Sequence, residues 1–385
     1  MTFGRRKAAQ APAVTLENAS GTVPPALRIA GAYSWRILLV VGVLAVVVFM
    51  VAQLRDILVP FMVAVLVGAL LVPFVQWLMR HRWPKPLAIA VAMLGTIALV
   101  TGLIVVVVSQ IRSGYPDLQR RSIVAYGDFK QYLADSPFHV DDQQLNAFIE
   151  QTIATIQKDS QVLVTGALSV GVTAGHVLAG LLLATFATLF ILIDGKRIWA
   201  WMVRLFPRTA RPAVDGSGYA GWVTLTTFVK VQIFVAAVDA TGIGLGAWIL
   251  GLVFGGFPLV IPIAIAVFLG SFIPVVGALV TGTIAVFIAL VYLGPFPAVL
   301  MLGIVLLVQQ VEGHVLQPLI MGSAVKIHPL AVVFAVAAGS YLAGIPGALF
   351  AVPVIAVLNV MVKYIAGGDW KTNPRPTAED LLPNA

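Results

Sequence analysis

One group of polar residues in the C-terminal half stands inside an otherwise apolar sequence. It consists of Lys230 and Gln232, followed two helical turns after Gln232 by Asp239 among alanines and glycines. A charged side chain at the centre of a membrane-spanning helix costs about 2.5–3.5 kcal/mol on insertion scales, and such residues commonly mark ion or substrate pathways. Asp239 is therefore a candidate contact for an ion or a substrate. The alternative is that it hydrogen-bonds a neighbouring helix, because the small residues around it allow close helix approach.

A second polar group directly follows the apolar run 298–308. A carboxylate and an imidazole, Glu312 and His314, lie two residues apart near a proline that ends the helix, and together they could relay a proton or hold a cation. The alternative is a polar helix end at the membrane surface, where such residues cost little. The members of this group are Gln309, Gln310, Glu312, His314, Gln317 and Pro318.

The sequence contains none of the short motifs that would indicate an enzyme or an ATP-driven pump. There is no His-Glu-x-x-His zinc motif, no Walker loop and no Gly-x-Ser-x-Gly nucleophile turn. The chain also contains no cysteine, which excludes thiolate metal sites and thiol nucleophiles. We therefore predict a protein that is not an enzyme, with no cofactor, no metal site and no ATP hydrolysis of its own.

The composition indicates the environment in which these groups lie. Of 385 residues, 60% are hydrophobic and only 10% are charged, whereas about a quarter of the residues in a soluble protein are charged. The surplus apolar surface must face lipid. The net charge of +8 does not indicate a nucleic-acid partner, because the basic residues form short clusters between apolar runs. We predict an all-α polytopic membrane protein whose partners are the lipid bilayer and a small-molecule or ion substrate.

The distribution of apolar runs, charges and prolines along the chain predicts six regions. A hydrocarbon core of about 30 Å needs about 20 apolar residues to span it, and this length identifies the spans. The charged stretch after the third span has amphipathic helical spacing, which is typical of helices in water or on a membrane surface. The regions are a disordered cytoplasmic tail (1–33), three N-terminal spans (34–109), a water-exposed mixed-charge insert (110–161), the fourth span with a basic cytoplasmic segment (162–225), a C-terminal transport core with broken helices (226–365) and a cytoplasmic tail (366–385).

The basic segments indicate the orientation of the spans. The N-terminal tail, the loop 80–85 and the segment 194–211 are all rich in arginine and lysine. Counting spans along the chain places these three segments on one side of the membrane, and the positive-inside rule makes that side cytoplasmic. The acid-rich insert then lies on the extracytoplasmic side.

The C-terminal transport core is densely interrupted by proline and glycine. A break in a membrane helix is tolerated only where protein or a water-filled cavity satisfies the freed backbone groups, so this core is expected to line a pathway. Two interrupted segments also resemble each other: 270–279 and 339–349 both read Gly-Ser-aromatic, then a proline, then Gly-Ala-Leu. Paired interruptions point to a transport site in two repeats, although apolar sequences also match by chance. The candidate path residues in these segments are Pro274, Gly277, Pro346 and Gly347.

Four stretches of the C-terminal half together resemble the autoinducer-2 exporter family of bacterial membrane proteins. These stretches are 272–277, 309–322, 328–330 and 344–353. The segment 228–232 followed by Asp239 also fits, although the family more often carries tyrosine and arginine there. The order and spacing of the stretches make the resemblance strong from about residue 220 to 365 and looser over 35–220.

The resemblance implies about eight spans, both termini in the cytoplasm of a bacterial inner membrane, a homo-oligomer, and transport without ATP hydrolysis. The expected function is secondary export of small polar organic solutes or signalling molecules such as autoinducer-2. A sodium–proton antiporter is the alternative within transport, and a non-transporting scaffold or receptor that uses the insert as its partner surface is the alternative outside it. Whether 257–293 and 329–365 form full spans or hairpins stays open at this point.

Overall fold

The computed structural model describes residues 25–134, 175, 177–273, 276–314 and 329–381. In this part of the chain the secondary structure is helical, without β-strands. The chain divides into two compact units, Met1–Arg55 and Asp56–Ala385; the first contains α1, and everything below concerns the second. The helices are α1 (Pro25–Gln53), α2 (Arg55–Arg80), α3 (Lys85–Ala134), α4 (Val177–Arg204), α5 (Arg211–Phe254), α6 (Val260–Gly270), α7 (Val276–Leu293), α8 (Pro295–Val311), α9 (Pro329–Gly367) and α10 (Ala378–Leu381).

The prediction of an all-α polytopic membrane protein is confirmed. Within the described residues, 7 helices are long and apolar enough to cross a membrane, namely α1 to α5, α8 and α9. Helices α6 and α7 are equally apolar but shorter. The large side chains on the outer faces of these helices are mostly aliphatic or aromatic and exposed, as expected for surfaces that contact lipid.

Helix α5 is the element against which the C-terminal half packs. It has 44 residues, so it is about 66 Å long. Glycines allow neighbouring helices to approach it closely: a Cβ on Gly242 would meet the side chain of Val308 at 2.9 Å, and a Cβ on Gly246 would meet Ile304 at 2.5 Å. A buried apolar cluster that includes Ile243 joins α5 to α6, α7 and α8.

The two ends of α5 have different surroundings, and we name them by these. At the basic end, Lys85 Nζ donates a hydrogen bond to the Ile193 carbonyl at 2.6 Å, and Arg211 donates to the carbonyls of Arg204 and Phe206. The basic segments 80–85 and 194–211 therefore lie at the same end of the bundle, as the sequence predicted. The opposite end, where α5 finishes at Phe254, is called the distal end.

Helix α3 continues without interruption into the predicted insert. It has 50 residues, about 75 Å of helix. Residues 110–134 therefore continue the helix of the third span beyond its apolar part and do not begin a separate helix. Beyond the apolar part of α3, Gly114 packs against Leu259 and its carbonyl accepts a weak hydrogen bond from the Tyr292 hydroxyl at 3.5 Å. The remainder of the predicted insert, 135–161, lies outside the described residues.

Helices α6 and α7 form a hairpin, which we call the first hairpin. Helix α6 has 11 residues, about 16 Å, roughly half of a 30 Å hydrocarbon core. Both feet of the hairpin lie at the distal end, because Leu259 and Tyr292 each contact Gly114. At the apex the two arms are in backbone contact: a Cβ on Gly277 would overlap the Gly270 carbonyl.

Helix α9 is two antiparallel arms, which we call the second hairpin. The backbone leaves helical geometry at Ala343 (φ −141, ψ 22) and Gly344 (φ 63, ψ −146). The positive φ at Gly344 is a conformation that favours glycine. A Cβ on Gly347 would overlap the Gly339 carbonyl, although eight residues of straight helix would separate these glycines by about 12 Å. Val336 likewise packs into a cluster with Ala348 and Ala351, as the reversal requires.

The two hairpins enter the bundle from opposite ends of α5. The last arm of the second hairpin runs to the basic end, where Tyr364 packs against Gly216 near the start of α5. The apexes of the hairpins meet, since Ile273 of the first packs against the apolar cluster of the second. The resemblance between 270–279 and 339–349 therefore corresponds to a repeated structure: in each segment the Gly of Gly-Ser contacts the Gly of Gly-Ala-Leu.

The chain after α9 folds back along the basic end of α5. The Tyr364 hydroxyl donates a hydrogen bond to the Asn373 carbonyl. In the following turn, Asp380 accepts hydrogen bonds from the backbone N–H and the hydroxyl of Thr377 and from the Asn373 amide, and these donors hold the pKa of Asp380 below its usual value. The end of the second hairpin is thus attached at the basic end of α5.

The glycine contacts at the apexes give a matched test. A Gly277→Ala substitution should destabilise the protein by about 1–3 kcal/mol, because its Cβ overlaps the backbone of the opposite arm. Gly303→Ala on α8 is the control: nothing lies within 4 Å of a Cβ at that position, and alanine is the better helix former by about 1 kcal/mol. Thermal unfolding in detergent measures both. Equal effects would contradict the apex contact.

Candidate functional site

The site is built on one face of α5, at the level of the hairpin apexes. Gln232 and Asp239 are two helical turns apart and share that face. Both are buried, with 7% and 1% of their surfaces exposed. A charged residue this deeply buried in a membrane protein is expected to have specific partners, so the contacts of these two side chains define the site.

Both side chains hold the same residue, Ser271, at the apex of the first hairpin. Gln232 Nε2 donates a hydrogen bond to the Ser271 carbonyl at 2.6 Å. The Ser271 hydroxyl lies 3.0 Å from Asp239 Oδ2 and 2.8 Å from the Val267 carbonyl, and it can donate to either. A serine hydroxyl has a single proton, so these two acceptors compete for it. The polar face of α5 thus satisfies backbone and side-chain groups that the end of α6 leaves free.

One oxygen of Asp239 remains without a partner. Asp239 Oδ1 is buried and accepts no hydrogen bond from the described residues. An ionised carboxylate in such a place is unfavourable unless a counter-charge is present. The geometry therefore suits the binding of a proton or a small cation at Oδ1.

Glu312 lies close to Asp239 because α5 and α8 are antiparallel. Gly242 meets Val308 and Gly246 meets Ile304, so continuing the pairing by one turn brings Asp239 to the level of Glu312. The two carboxyl groups are near enough for their charges to interact. Residues 312–314 form a π-helical turn at the end of α8, a local geometry that is frequent at functional sites. The site thus combines two carboxyl groups from different helices.

The apex of the second hairpin is polar and exposed, whereas the apex of the first hairpin is bound to α5. Ser340 corresponds to Ser271 in the repeated sequence, but it is exposed. Its neighbour Tyr341 is 92% exposed, and Ile345 after the break is 74% exposed. The two hairpins therefore have similar apexes in different states: one is bound to α5 through its serine and the other presents its serine outward.

The remaining candidates from the sequence are distributed around this centre. Lys230 points away from it: it is exposed, on the face of α5 opposite Asp239. Gln309 is half-buried, Gln310 is exposed, and exposed His314 lies with Nδ1 3.3 Å from the Gln310 carbonyl. Within the apexes, Gly277 is buried and Pro346 and Gly347 are half-buried. Pro274, Gln317 and Pro318 lie outside the described residues.

Ser271 is the residue that the candidate set from the sequence did not include. Serine is common in membrane helices, where it usually donates to its own helix backbone, and nothing in its type distinguishes it. Its position in the repeated Gly-Ser-aromatic motif was the available signal. The same motif would have pointed to Ser340 and to Gly270 and Gly339, which make the apex contacts.

Comparisons with known proteins agree with the resemblance. A family model described as "AI-2E family transporter" matches residues 37–367. The chain is 36% identical over 355 residues to "Putative transport protein MT0215" of Mycobacterium tuberculosis (strain CDC 1551 / Oshkosh), covering 92% of this chain and 95% of the relative. The similarly named YrrI of Bacillus subtilis (strain 168) is 28% identical and covers 80% and 86%. "AI-2 transport protein TqsA" of Escherichia coli (strain K12) is 23% identical and covers 86% and 93%.

The difference between the two apex serines can be measured. Ser271→Ala leaves both oxygens of Asp239 without a donor and should lower the free energy of unfolding by about 1.5–3 kcal/mol, the range for a lost hydrogen bond to a charged group. Ser340→Ala removes an exposed hydroxyl and should change it by less than about 0.5 kcal/mol. Unfolding titrations in mixed micelles compare the two variants. A loss at Ser340 as large as that at Ser271 would contradict the asymmetry.

Proposed function

The chain belongs to the AI-2E transporter family, and we propose that it is a secondary exporter of small polar organic solutes or signalling molecules, of which autoinducer-2 is the model substrate. The observation that carries the proposal is the meeting of two oppositely directed hairpins beside a buried polar face of α5. It is an integral protein of the inner membrane. We propose no catalytic role for any of its residues.

The path runs between the two apexes. Irregular backbone at membrane depth is tolerated where it is buried in protein or lines a water-filled cavity, and broken helices at corresponding positions of two repeats are typical of substrate sites in secondary transporters. Here the breaks lie around Ser271 and Ala343. Because one hairpin enters from the distal end and the other from the basic end, each is placed to close the path from one side.

Asp239 and Glu312 are the proposed coupling carboxylates. Gln232, which shares the buried face of α5, fixes the first hairpin, and the polar residues Gln309, Gln310 and His314 lie near Glu312 at the end of α8. Gln317 stays a candidate from the sequence, outside the described residues. The helix breaks around Gly277, Pro346 and Gly347 form the proposed walls, and Pro274 and Pro318 stay candidates from the sequence, outside the described residues. Lys230 was a candidate for this path, but its exposed position on the other face supports a different role.

We further propose that the basic end is cytoplasmic, that both termini lie on that side, and that the protein is a homo-oligomer. The arginines and lysines gathered at the basic end support the orientation through the positive-inside rule. The exposed face of α5 that carries Lys230 and Thr241 supports the oligomer, since a lysine inside a span is costly against lipid. A second copy of the chain that covers this face would remove the cost.

A sodium–proton antiporter is the second candidate. The observation in its favour is the unpartnered Oδ1 of Asp239 beside Glu312, since such a pair could alternate between a proton and a cation.

A membrane scaffold that does not transport is the candidate function outside transport, with the insert as its partner surface. The arm 110–134 contacts the feet of the first hairpin, so a deletion that tests the scaffold should remove only 135–161: a scaffold loses its role, whereas a transporter keeps its flux.

The proposed path is tested by flux of autoinducer-2 in proteoliposomes. Asp239→Asn and Glu312→Gln keep size but remove charge, and each should reduce gradient-driven flux at least tenfold if the carboxylates couple transport. Lys230→Gln is the matched control, because it removes a charge from the opposite face of the same helix. The flux of this variant should stay within about twofold of the flux of the unmodified protein.

Two results would contradict the assignment. Unchanged flux in both carboxylate variants, with normal expression, would remove Asp239 and Glu312 from the mechanism. The absence of autoinducer-2 flux in the parent protein, together with proton movement driven by an imposed sodium gradient, would favour the antiporter instead.

A further inference from the structure

We propose that Asp239 binds a proton at Oδ1 and that this proton weakens the attachment of the first hairpin apex to α5. The proposal rests on the proposed function, because it supplies the coupling ion of the exporter and the movement that the ion controls. The first step is the attachment itself. In the described part of the chain, the polar contacts between α5 and the first hairpin converge on Ser271, through Gln232 and Asp239.

The second step is the dependence of this attachment on charge. A hydrogen bond to an ionised carboxylate is about twice as strong as one between neutral groups. Ser271 has a competing acceptor within reach, the Val267 carbonyl of its own helix at 2.8 Å. When Asp239 is ionised, the hydroxyl is drawn to Oδ2 and the hairpin is held. When Asp239 is protonated, the carbonyl of Val267 becomes the better acceptor and this bond to α5 is lost.

The third step is the place where the proton binds. Oδ1 is the unoccupied oxygen of Asp239, and a proton needs only one such oxygen. A metal cation needs several oxygen ligands at once, and the Ser271 carbonyl already accepts a hydrogen bond from Gln232. Glu312 approaches from α8; two neighbouring carboxylates repel each other when both are ionised, and a proton on one of them relieves that repulsion.

Among the described residues, few other ionisable groups face this site. Helix α6 carries none, α7 carries only Tyr292 at its distal foot, and the π-helical turn after α8 carries exposed His314, two residues beyond Glu312. On the second hairpin, Tyr341 is at the apex, while Lys363 and Tyr364 are at the basic end. Lys230 of α5 faces the other way. The pH dependence of the first hairpin is therefore assigned to Asp239 with Glu312 as its neighbour.

The natural absence of cysteine makes the movement directly measurable. A reporter thiol is placed by Ala278→Cys, at a half-buried position in the first turn of α7 beside the apex. Thr209→Cys in the exposed loop before α5 reports the intrinsic pH dependence of thiol labelling. The purified protein in nanodiscs is labelled with a water-soluble thiol reagent between pH 8 and pH 5.5, and each rate at position 278 is divided by the rate at position 209.

The corrected rate at position 278 should rise roughly tenfold as the pH falls, the change expected when a charge-assisted hydrogen bond becomes a neutral one. Asp239→Asn and Ser271→Ala should each give the high rate at every pH, the first by removing the charge and the second by removing the donor. A pH step that persists in Asp239→Asn would overturn the proposal. So would a rate that depends on sodium, with choline as the replacement, at constant pH.

A second measurement needs no substitution and keeps the test valid if a variant does not fold. Hydrogen–deuterium exchange of the unmodified protein should show faster exchange in the peptide 268–283 at pH 5.5 than at pH 8, after correction for intrinsic exchange, while 339–349 stays unchanged. Equal protection of 268–283 at both pH values would overturn the proposal. Neither readout requires a substrate, so a pH-controlled hairpin without autoinducer-2 flux would contradict the exporter alone, and flux without a pH-controlled hairpin would contradict the proton alone.

Discussion

A helix that ends inside a membrane leaves backbone groups without partners, and the described C-terminal half is arranged around two such endings. Lipid offers no hydrogen bonds, so other parts of the protein must satisfy these groups. At the first hairpin, this is the task of α5: Gln232 reaches the Ser271 carbonyl and Asp239 accepts from its hydroxyl. The burial of two polar side chains on α5 is the cost of ending α6 halfway across.

The same constraint explains why the hairpins resemble each other and why they are not equivalent. Each reversal brings two helix arms together at a pair of glycines, Gly270 with Gly277 and Gly339 with Gly347. In the part of the chain that the structure describes, polar side chains attach only the first hairpin to α5, whereas Ser340 of the second is exposed. The repeated sequence therefore encodes the reversal. Among the described residues, the polar face of α5 contacts only the first hairpin, and it would distinguish the two ends of the proposed path.

The sequence was sufficient for the fold class and for the region of the candidate site. Composition and run lengths indicate membrane helices because these depend on the transfer of each residue into lipid, a local property. Asp239 and Glu312 could be recognised as unusual for the same reason. Even the separation of Lys230 from Gln232 follows from about 100° of rotation per residue. These properties require no knowledge of which helices are neighbours.

Other features depend on contacts between distant residues and could not be read from the chain. A proline or glycine in an apolar run predicts a break, but whether the chain then continues or turns back depends on which surfaces pack together. The nearness of Glu312 to Asp239 depends on the register of α5 against α8, set by Gly242 and Gly246. Ser271 gains its importance only from the two side chains that hold it.

The apex glycines have a consequence for how this chain can change over evolutionary time. No amino acid is smaller than glycine, so every missense mutation in the codons of Gly277 and Gly347 adds at least a Cβ where the opposite arm already lies. A larger residue at either position displaces the partner backbone and lowers the stability of the fold, and a second substitution would be needed to restore it. The glycines at each reversal are therefore expected to change rarely. New transport specificities are expected to arise by variation of the exposed residues next to them, such as Tyr341 and Ile345.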